Sequence, residues 1–286
     1  MSKSRKNHIL IISLLSLLLL YSCNKEEPIP AYIHIDKIDL KTNYSIQGSN
    51  SHKIIDAWIY VDDQLVGAFE LPCTVPVLYE GNHEVKILAG IKENGISDTR
   101  TVYPYYTSYQ VNIFFGKGEI STITPVVNYL SDTQFIWLDD FEGAIPSICD
   151  SSITSDTMMQ VTHIPSQVFE NTGSAVVTLV NGVYYGYSCS GYTLPKTDQV
   201  FLELNYNCNT EFSIGLEGYS SSGNLNLKQT LITLRPVSTW NKVYINLTTA
   251  INEDPKSLKF KLFFSMKYNT SLSSSNLFID NIKLVN

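Results

Sequence analysis

The chain has 286 residues, of which 44% are hydrophobic and 16% charged, and its formal net charge is −7. That length admits two ordinary domains, and the acidity excludes a surface that tracks nucleic acid, so no nucleic-acid partner is expected. Tyrosine is abundant, and Ser, Thr and Asn fill the gaps between short Val/Ile/Phe/Tyr runs, which is strand composition rather than helix composition.

The first element is a leader. Lys3, Arg5 and Lys6 give a basic start, and Ile9 to Tyr21 is apolar except for Ser13 and Ser16. This run is shorter than the ~20 residues a spanning helix needs and fits the roughly 7–15 of a secretory signal. A short uncleaved anchor is the alternative. Leu20-Tyr21-Ser22-Cys23 follows and resembles a bacterial lipobox. The resemblance implies a signal peptide over 1–22, cleavage before Cys23, and acylation of Cys23, whose lipid partner is then the bilayer. Buried acyl chains contribute about 0.8 kcal/mol per CH₂, and two or more hold a protein stably. Loss of the three leader cations leaves a mature chain of net charge about −10, which suits solubility rather than a membrane-hugging surface.

Residues 23–30 read as a charged, proline-bearing tether. Cys-x-Lys-Glu-Glu, here Cys23 to Glu27, is similar to the export tag of Bacteroidota surface lipoproteins. The implied location is the outer membrane, facing the cell exterior, with a periplasm-facing position as the alternative.

A small β-sandwich is expected over 31–130. Ile33, Ile35 and Leu40 begin a strand pattern, and Ile55, Ala57, Ile59 and Val61 alternate with Asp56, Trp58 and Tyr60. Asp62-Asp63 turns the chain, Gln64 to Phe69 returns, and Val85, Ile87 and Ala89 mark another strand. Two more strands, near 107–115 and 119–127, flank the glycine-bearing turn Gly116-Lys117-Gly118. Tyr60 to Gly67, Pro76, and Glu80 to Val85 together resemble a PEGA-type module over about 30 residues, with Asp63 where the turn glycine would stand. That resemblance implies a non-catalytic Ig-like or PEGA-like sandwich. Tyr103, Tyr105, Tyr106 and Tyr109 cluster beside Pro104, either as a binding face or, the preferred reading, as packing at a sheet edge.

A second sandwich is expected over 133–286, which makes the chain all-β. Strand-length apolar sets recur at Val176/Thr178/Val180, Phe201/Leu202/Leu204, Phe212/Ile214/Leu216, Val243/Ile245/Leu247 and Phe260/Leu262/Phe264. Leu138 to Gly143 opens the region and Leu277 to Leu284 closes it. This pairing is similar to the galactose-binding-like jelly rolls that include many carbohydrate-binding modules. There the Phe-Glu and Asp-Asn-Ile segments lie side by side and often hold a structural Ca²⁺, which would fall here to Glu142 and Asp280. A hydrogen-bonded carboxylate without metal is the alternative. Ser238 to Val243 resembles the Trp-led strand of these modules, so Trp240 is assigned to packing.

Tyr184, Tyr185, Tyr187 and Tyr192 surround Gly186 and Gly191 and form the candidate ligand face, with Asn205 or Asn207 as polar partners. The alternative is that alternate tyrosines enter the core. Cys73, Cys149, Cys189 and Cys208 show no CxxC spacing; Cys189–Cys208 is the favoured disulfide, with free buried thiols as the alternative. No catalytic motif is complete: His83-Glu84 lacks a second His at position 87, and Gly186 to Gly191 misses Gly-x-Ser-x-Gly. The expected function is therefore a non-enzymatic lipoprotein that binds an extracellular ligand such as a glycan. The second reading is an accessory subunit of an outer-membrane assembly with a protein partner in the envelope.

Overall fold

The computed structural model describes residues 27–150, 153–170 and 172–286; the leader and Cys23 lie outside the described residues. The chain is all-β. Its first part carries β1 (Ala31–Ile35), β2 (Asp39–Lys41), α1 (Tyr44–Gln47), β3 (Asp56–Val61), β4 (Gln64–Glu70) and β5 (Cys73–Val77). It continues with β6 (Gly81–Lys92), β7 (Arg100–Val102), β8 (Tyr109–Phe115), β9 (Ile120–Ile123) and β10 (Val126–Asn128). Strands β4-β3-β6 form one sheet, and β7 and β8 pair successive stretches of β6. The other strands pair as β5-β1-β9 and β10-β2.

Alternation explains β3: Ala57, Ile59 and Val61 are fully buried while Trp58 and Tyr60 are half-buried. The pattern stops one residue earlier than expected. Ile55 is half-exposed, and Asp56 turns inward to an ion pair with Arg100. The following turn places Asp62 and Asp63 at φ 48° and 60°, the left-handed pair of a tight hairpin that Asp tolerates. Asp62 Oδ1 accepts the Glu84 N–H at 3.0 Å, which ties the turn to β6. Gly116 to Gly118 does not close a hairpin. It carries the chain from β8, which pairs β6, to β9, which pairs β1.

The second part carries β11 (Phe135–Asp139), β12 (Ile148–Asp150), β13 (Gln160–Thr162), β14 (Ser174–Leu179), β15 (Val183–Ser188) and β16 (Phe201–Cys208). Then come β17 (Phe212–Tyr219), β18 (Leu225–Leu234), β19 (Val237–Asn246), α2 (Thr248–Glu253), β20 (Lys259–Lys267) and β21 (Ser275–Val285). One sheet runs β13-β14-β21-β16-β19, with β11 also on β21; the other runs β12-β15-β20-β17-β18. Leu202, Leu204, Leu216, Leu262, Phe264 and Ile279 fill the space between them with no exposed surface. Each such side chain contributes roughly 1.5–3 kcal/mol by leaving water.

The opening and closing strands do lie side by side, with Trp137 opposite Leu284 and Asp139 opposite Ile282. The inward set of β14 is the reverse of the expected one. Ala175, Val177 and Leu179 are buried, whereas Thr178 and Val180 are exposed. Both faces of Ser174 to Val180 are apolar enough to turn inward, so pairing with β21 decides the face.

The two sandwiches meet through buried polar groups. Phe201, Tyr244 and Val285 of the second part pack into the core of the first. Glu203 Oε1 accepts hydroxyl hydrogen bonds from Tyr103 at 2.7 Å and Tyr129 at 2.9 Å, and its Oε2 lies 3.1 Å from Lys242 Nζ. Lys283 Nζ donates to the Ser49 carbonyl at 2.5 Å, and Tyr106 and Tyr244 share a 3.2 Å hydroxyl contact. The tyrosines expected at a sheet edge thus include three, Tyr103, Tyr105 and Tyr106, that are packed between the sandwiches. Burial pushes Lys283 down to about 7 despite the pull of Glu203. Glu203 stays below the usual carboxylate range: burial opposes its charge, but Lys242, Lys283 and the Tyr103 hydroxyl outweigh that.

Candidate functional site

Strand β15 divides the expected tyrosine face. Its even positions point inward: Tyr184 is 1% exposed, and a Cβ on Gly186 would sit 2.1 Å from the Tyr184 hydroxyl. Tyr184 is therefore a core residue, because only a glycine at 186 leaves room for its ring. Tyr192 stacks on Trp137 at 5.8 Å and 23° at the margin of the same core. Tyr185 and Tyr187 point the other way, onto the outer face of the five-stranded sheet. Asn205 and Asn207 lie on β16 in the opposite sheet and are not brought to that face. Trp240 packs on Phe169 and Phe278, also on the opposite sheet, as a packing residue should.

Three neighbours shape the Tyr185 surroundings. Phe263 of β20 lies over Gly215 of β17, where an added Cβ would meet the ring at 2.1 Å. Tyr185 stacks on that ring at 5.3 Å and 24°. Lys228 Nζ is 4.1 Å from the Tyr185 ring centre and 5.5 Å from that of Phe263. The Tyr185 ring thus carries a stacked Phe263 and a cation–π contact from Lys228.

Glu217 locks the arrangement. It accepts the Tyr185 hydroxyl at 2.7 Å and the Tyr219 hydroxyl, and pairs with Lys228 at 3.1 Å. Burial would raise its pKa, but those hydrogen bonds outweigh it and hold the carboxyl below its usual range. Burial and the bond to Glu217 push the Tyr185 hydroxyl up, so it stays a donor. Tyr187 stands one pair further along, with Lys261 Nζ 4.5 Å from its ring centre.

Beside Tyr185 the face opens into a cleft of about 750 Å³. Ser213, Thr233 and Ser265 line it with hydroxyls, and Tyr185, Lys267 and Tyr268 contribute to its walls. Ser213 and Thr233 share a 2.8 Å hydroxyl contact. An aromatic face beside hydroxyls and a cation can take a ring with one apolar face and polar edges. The sequence reading missed Phe263, Lys228 and the serines. The signal was present, since Phe263 is the large apolar residue at outward parity in Lys259 to Lys267.

The metal candidates sit elsewhere, where β21 meets the loop after β11. Glu142 Oε1 accepts the N–H groups of Thr172 at 3.0 Å and Gly173 at 2.9 Å, and Oε2 accepts the Thr172 hydroxyl. Asp280 accepts the Ser174 hydroxyl at 2.6 Å and the Asn281 N–H at 2.7 Å. Burial pushes Asp280 up to about 7, and Glu170 and Glu142 add to that. The buried amide oxygens of Asn205, opposite Asp280 on β16, and of Asn281 have no hydrogen-bond partner. A buried carboxyl with an amide side chain opposite it in the sheet and another next in sequence offers the oxygen donors that an oxygen-liganded cation takes, whereas Glu142 accepts three hydrogen bonds from Thr172 and Gly173. No group of three or more His, Cys, Asp or Glu side chains able to hold a metal occurs among the described residues.

The disulfide corrects the expected pairing: Cys149 bonds Cys189, while Cys208 is a buried free thiol and Cys73 is also free. Pairing of β12 with β15 sets Cys149 opposite Tyr187, two residues from Cys189, whereas Cys208 ends β16 in the other sheet.

No protein-family model matches the chain, and no curated protein matches it. Among solved structures it is similar to the CBM22-1-GH10 modules of a Clostridium thermocellum endo-1,4-beta-D-xylanase complexed with xylohexaose, at 14% identity and TM-score 0.41, covering 53% of this chain and 28% of that one. It is similar to a structure described for carbohydrate-binding modules from the beta-sandwich superfamily, at 11% identity and TM-score 0.40, over 81% of this chain and 85% of that one. A family 11 carbohydrate-binding module from Clostridium thermocellum, in complex with a mixed-linked tetrasaccharide, matches at 16% identity and TM-score 0.36, over 51% and 92%. These likenesses are remote and assign no ligand to this chain.

Proposed function

We propose that the protein is a non-catalytic, lipid-anchored β-sandwich protein that holds a glycan on the outer face of its C-terminal sandwich. The observation that carries this reading is Tyr185, held on the outer face of the sheet and lining the hydroxyl-bearing cleft. The ring is held by Phe263 and Glu217 before any ligand arrives, so little ordering entropy is spent on binding. The acyl anchor at Cys23 and the outward-facing outer-membrane location belong to the same proposal.

A panel of neutral oligosaccharides, read by affinity electrophoresis, tests it. Tyr185→Ala is expected to lose about 1–2 kcal/mol, a roughly five- to thirtyfold fall in affinity. Trp240→Ala, on the opposite sheet, should leave retardation unchanged. Equal retardation of wild type and Tyr185→Ala would place the ligand elsewhere. Incorporation of labelled palmitate into the wild type but not into Cys23→Ala tests the anchor.

The proposal includes a structural Ca²⁺ at Asp280. Without metal, Asp280 holds its proton in the folded state between about pH 4 and 7, where the unfolded carboxyl is ionised. Stability from this group is full below pH 4 and lost as pH rises through 7. After exhaustive chelation, Asp280→Asn is expected to raise stability at pH 8 by at most about 4 kcal/mol. Added Ca²⁺ should raise the melting temperature of the wild type and not of the variant. A wild-type melt indifferent to Ca²⁺ removes the metal from the reading.

A further inference from the structure

We propose that the cleft between the two sandwiches is a second binding site, which takes a saccharide unit carrying a carboxylate or sulfate group. Its cations are distinct from the residues of the Tyr185 groove, and the two clefts share only Thr233 of β18. The cleft measures about 610 Å³, within the usual range of small-molecule sites. Lys53 and Lys92 reach it from the first sandwich and Arg235 from the second. No carboxylate lines it, although the chain as a whole is acidic.

None of these three cations makes an ion pair among the described residues. Asp56, which Lys92 influences, is engaged by Arg100, and Glu203, behind Lys242, is engaged by Lys242 and two tyrosines. Burial and the nearby Lys92 push the Lys53 ammonium down, a strain that a bound anion relieves. Ile55, Leu231 and Val243 supply apolar wall. Lys53 Nζ donates to the Asn241 side-chain oxygen, and three cations without a carboxylate partner over an apolar wall match an oxyanion on a ring with an apolar face. The confined shape and the net negative charge of the whole chain disfavour a long nucleic-acid strand, which tracks open basic grooves.

Calorimetric titration of the full chain with digalacturonate, a sulfated disaccharide, neutral lactose and a short single-stranded DNA tests the site. At least one of the two acidic disaccharides should bind, and lactose should not bind at this cleft. Which acidic sugar binds identifies carboxylate or sulfate as the recognised group. Lys92→Ala and Arg235→Ala should each weaken binding about tenfold, the loss expected for a charge-assisted hydrogen bond. Lys92→Arg should retain it, and Tyr185→Ala should leave it unchanged, which separates this site from the groove. Lys117→Ala, removing a cation remote from the cleft lining, serves as the charge control. The proposal is overturned if neither acidic disaccharide binds, if Lys117→Ala weakens binding as much as Lys92→Ala, or if the DNA binds more tightly than both sugars.

Discussion

Replacing Glu203 with glutamine is expected to destabilise the protein by about 3–5 kcal/mol, the cost of leaving a buried charge without its partner. Glu203 has no exposed surface, and it is the carboxylate that faces Lys242 at 3.1 Å. Lys242 is itself buried, with a side chain only 2% exposed, so water cannot take over the lost role. The same carboxylate accepts the hydroxyls of Tyr103 and Tyr129, which belong to the first sandwich. Loss of its charge therefore weakens both halves of the joint, and the two sandwiches should begin to unfold at separate temperatures in calorimetry. A second change distinguishes charge from packing. Glu203→Gln combined with Lys242→Met removes both charges and should recover most of the loss, because a buried ion pair stabilises little over apolar side chains of similar size. If Glu203→Gln alone costs less than about 0.5 kcal/mol, the joint is not held by this charge.

This joint shows where the sequence ceases to be legible. Glu203 stands between Leu202 and Leu204, and Lys283 between Ile282 and Leu284. Period-two alternation correctly turns both away from the core of their own sandwich. It cannot say that a second sandwich covers that outer face, so nothing in the alternation marks these charges as buried. The alternation in β3 and β20 was legible because one face there is consistently apolar. In β14 both faces are apolar, and the pairing partner decided what the pattern could not. The tyrosine site was half legible for a related reason. Alternation within Tyr184 to Tyr187 leaves two rings outward and one inward, but Phe263, Lys228 and Glu217 come from strands distant in sequence.

The disulfide gives the other large effect. Cys149 and Cys189 are separated by 40 residues, and closing a loop of that length contributes about 4 kcal/mol through the entropy of the unfolded chain. The Cys149→Ala/Cys189→Ala double variant is expected to lose that much, and reduction of the wild type by dithiothreitol should reproduce the loss. Strand β12 has only three residues, Ile148–Asp150, and it covers the edge of β15. Without the bond, β12 should fray first and leave Tyr187 and then Tyr185 on an unsupported edge strand. Glycan affinity at the groove should fall together with stability, whereas Cys73→Ser, which touches neither sheet of the second sandwich, should alter neither. Peptide mapping under non-reducing conditions supplies the decisive readout. A linked pair containing Cys149 and Cys189 is expected; a pair joining Cys208 to either of them would mean that β12 does not pair with β15. Such a bond persists only in an oxidising compartment, so its recovery from freshly isolated cells would also test the exported location on which the anchor at Cys23 depends.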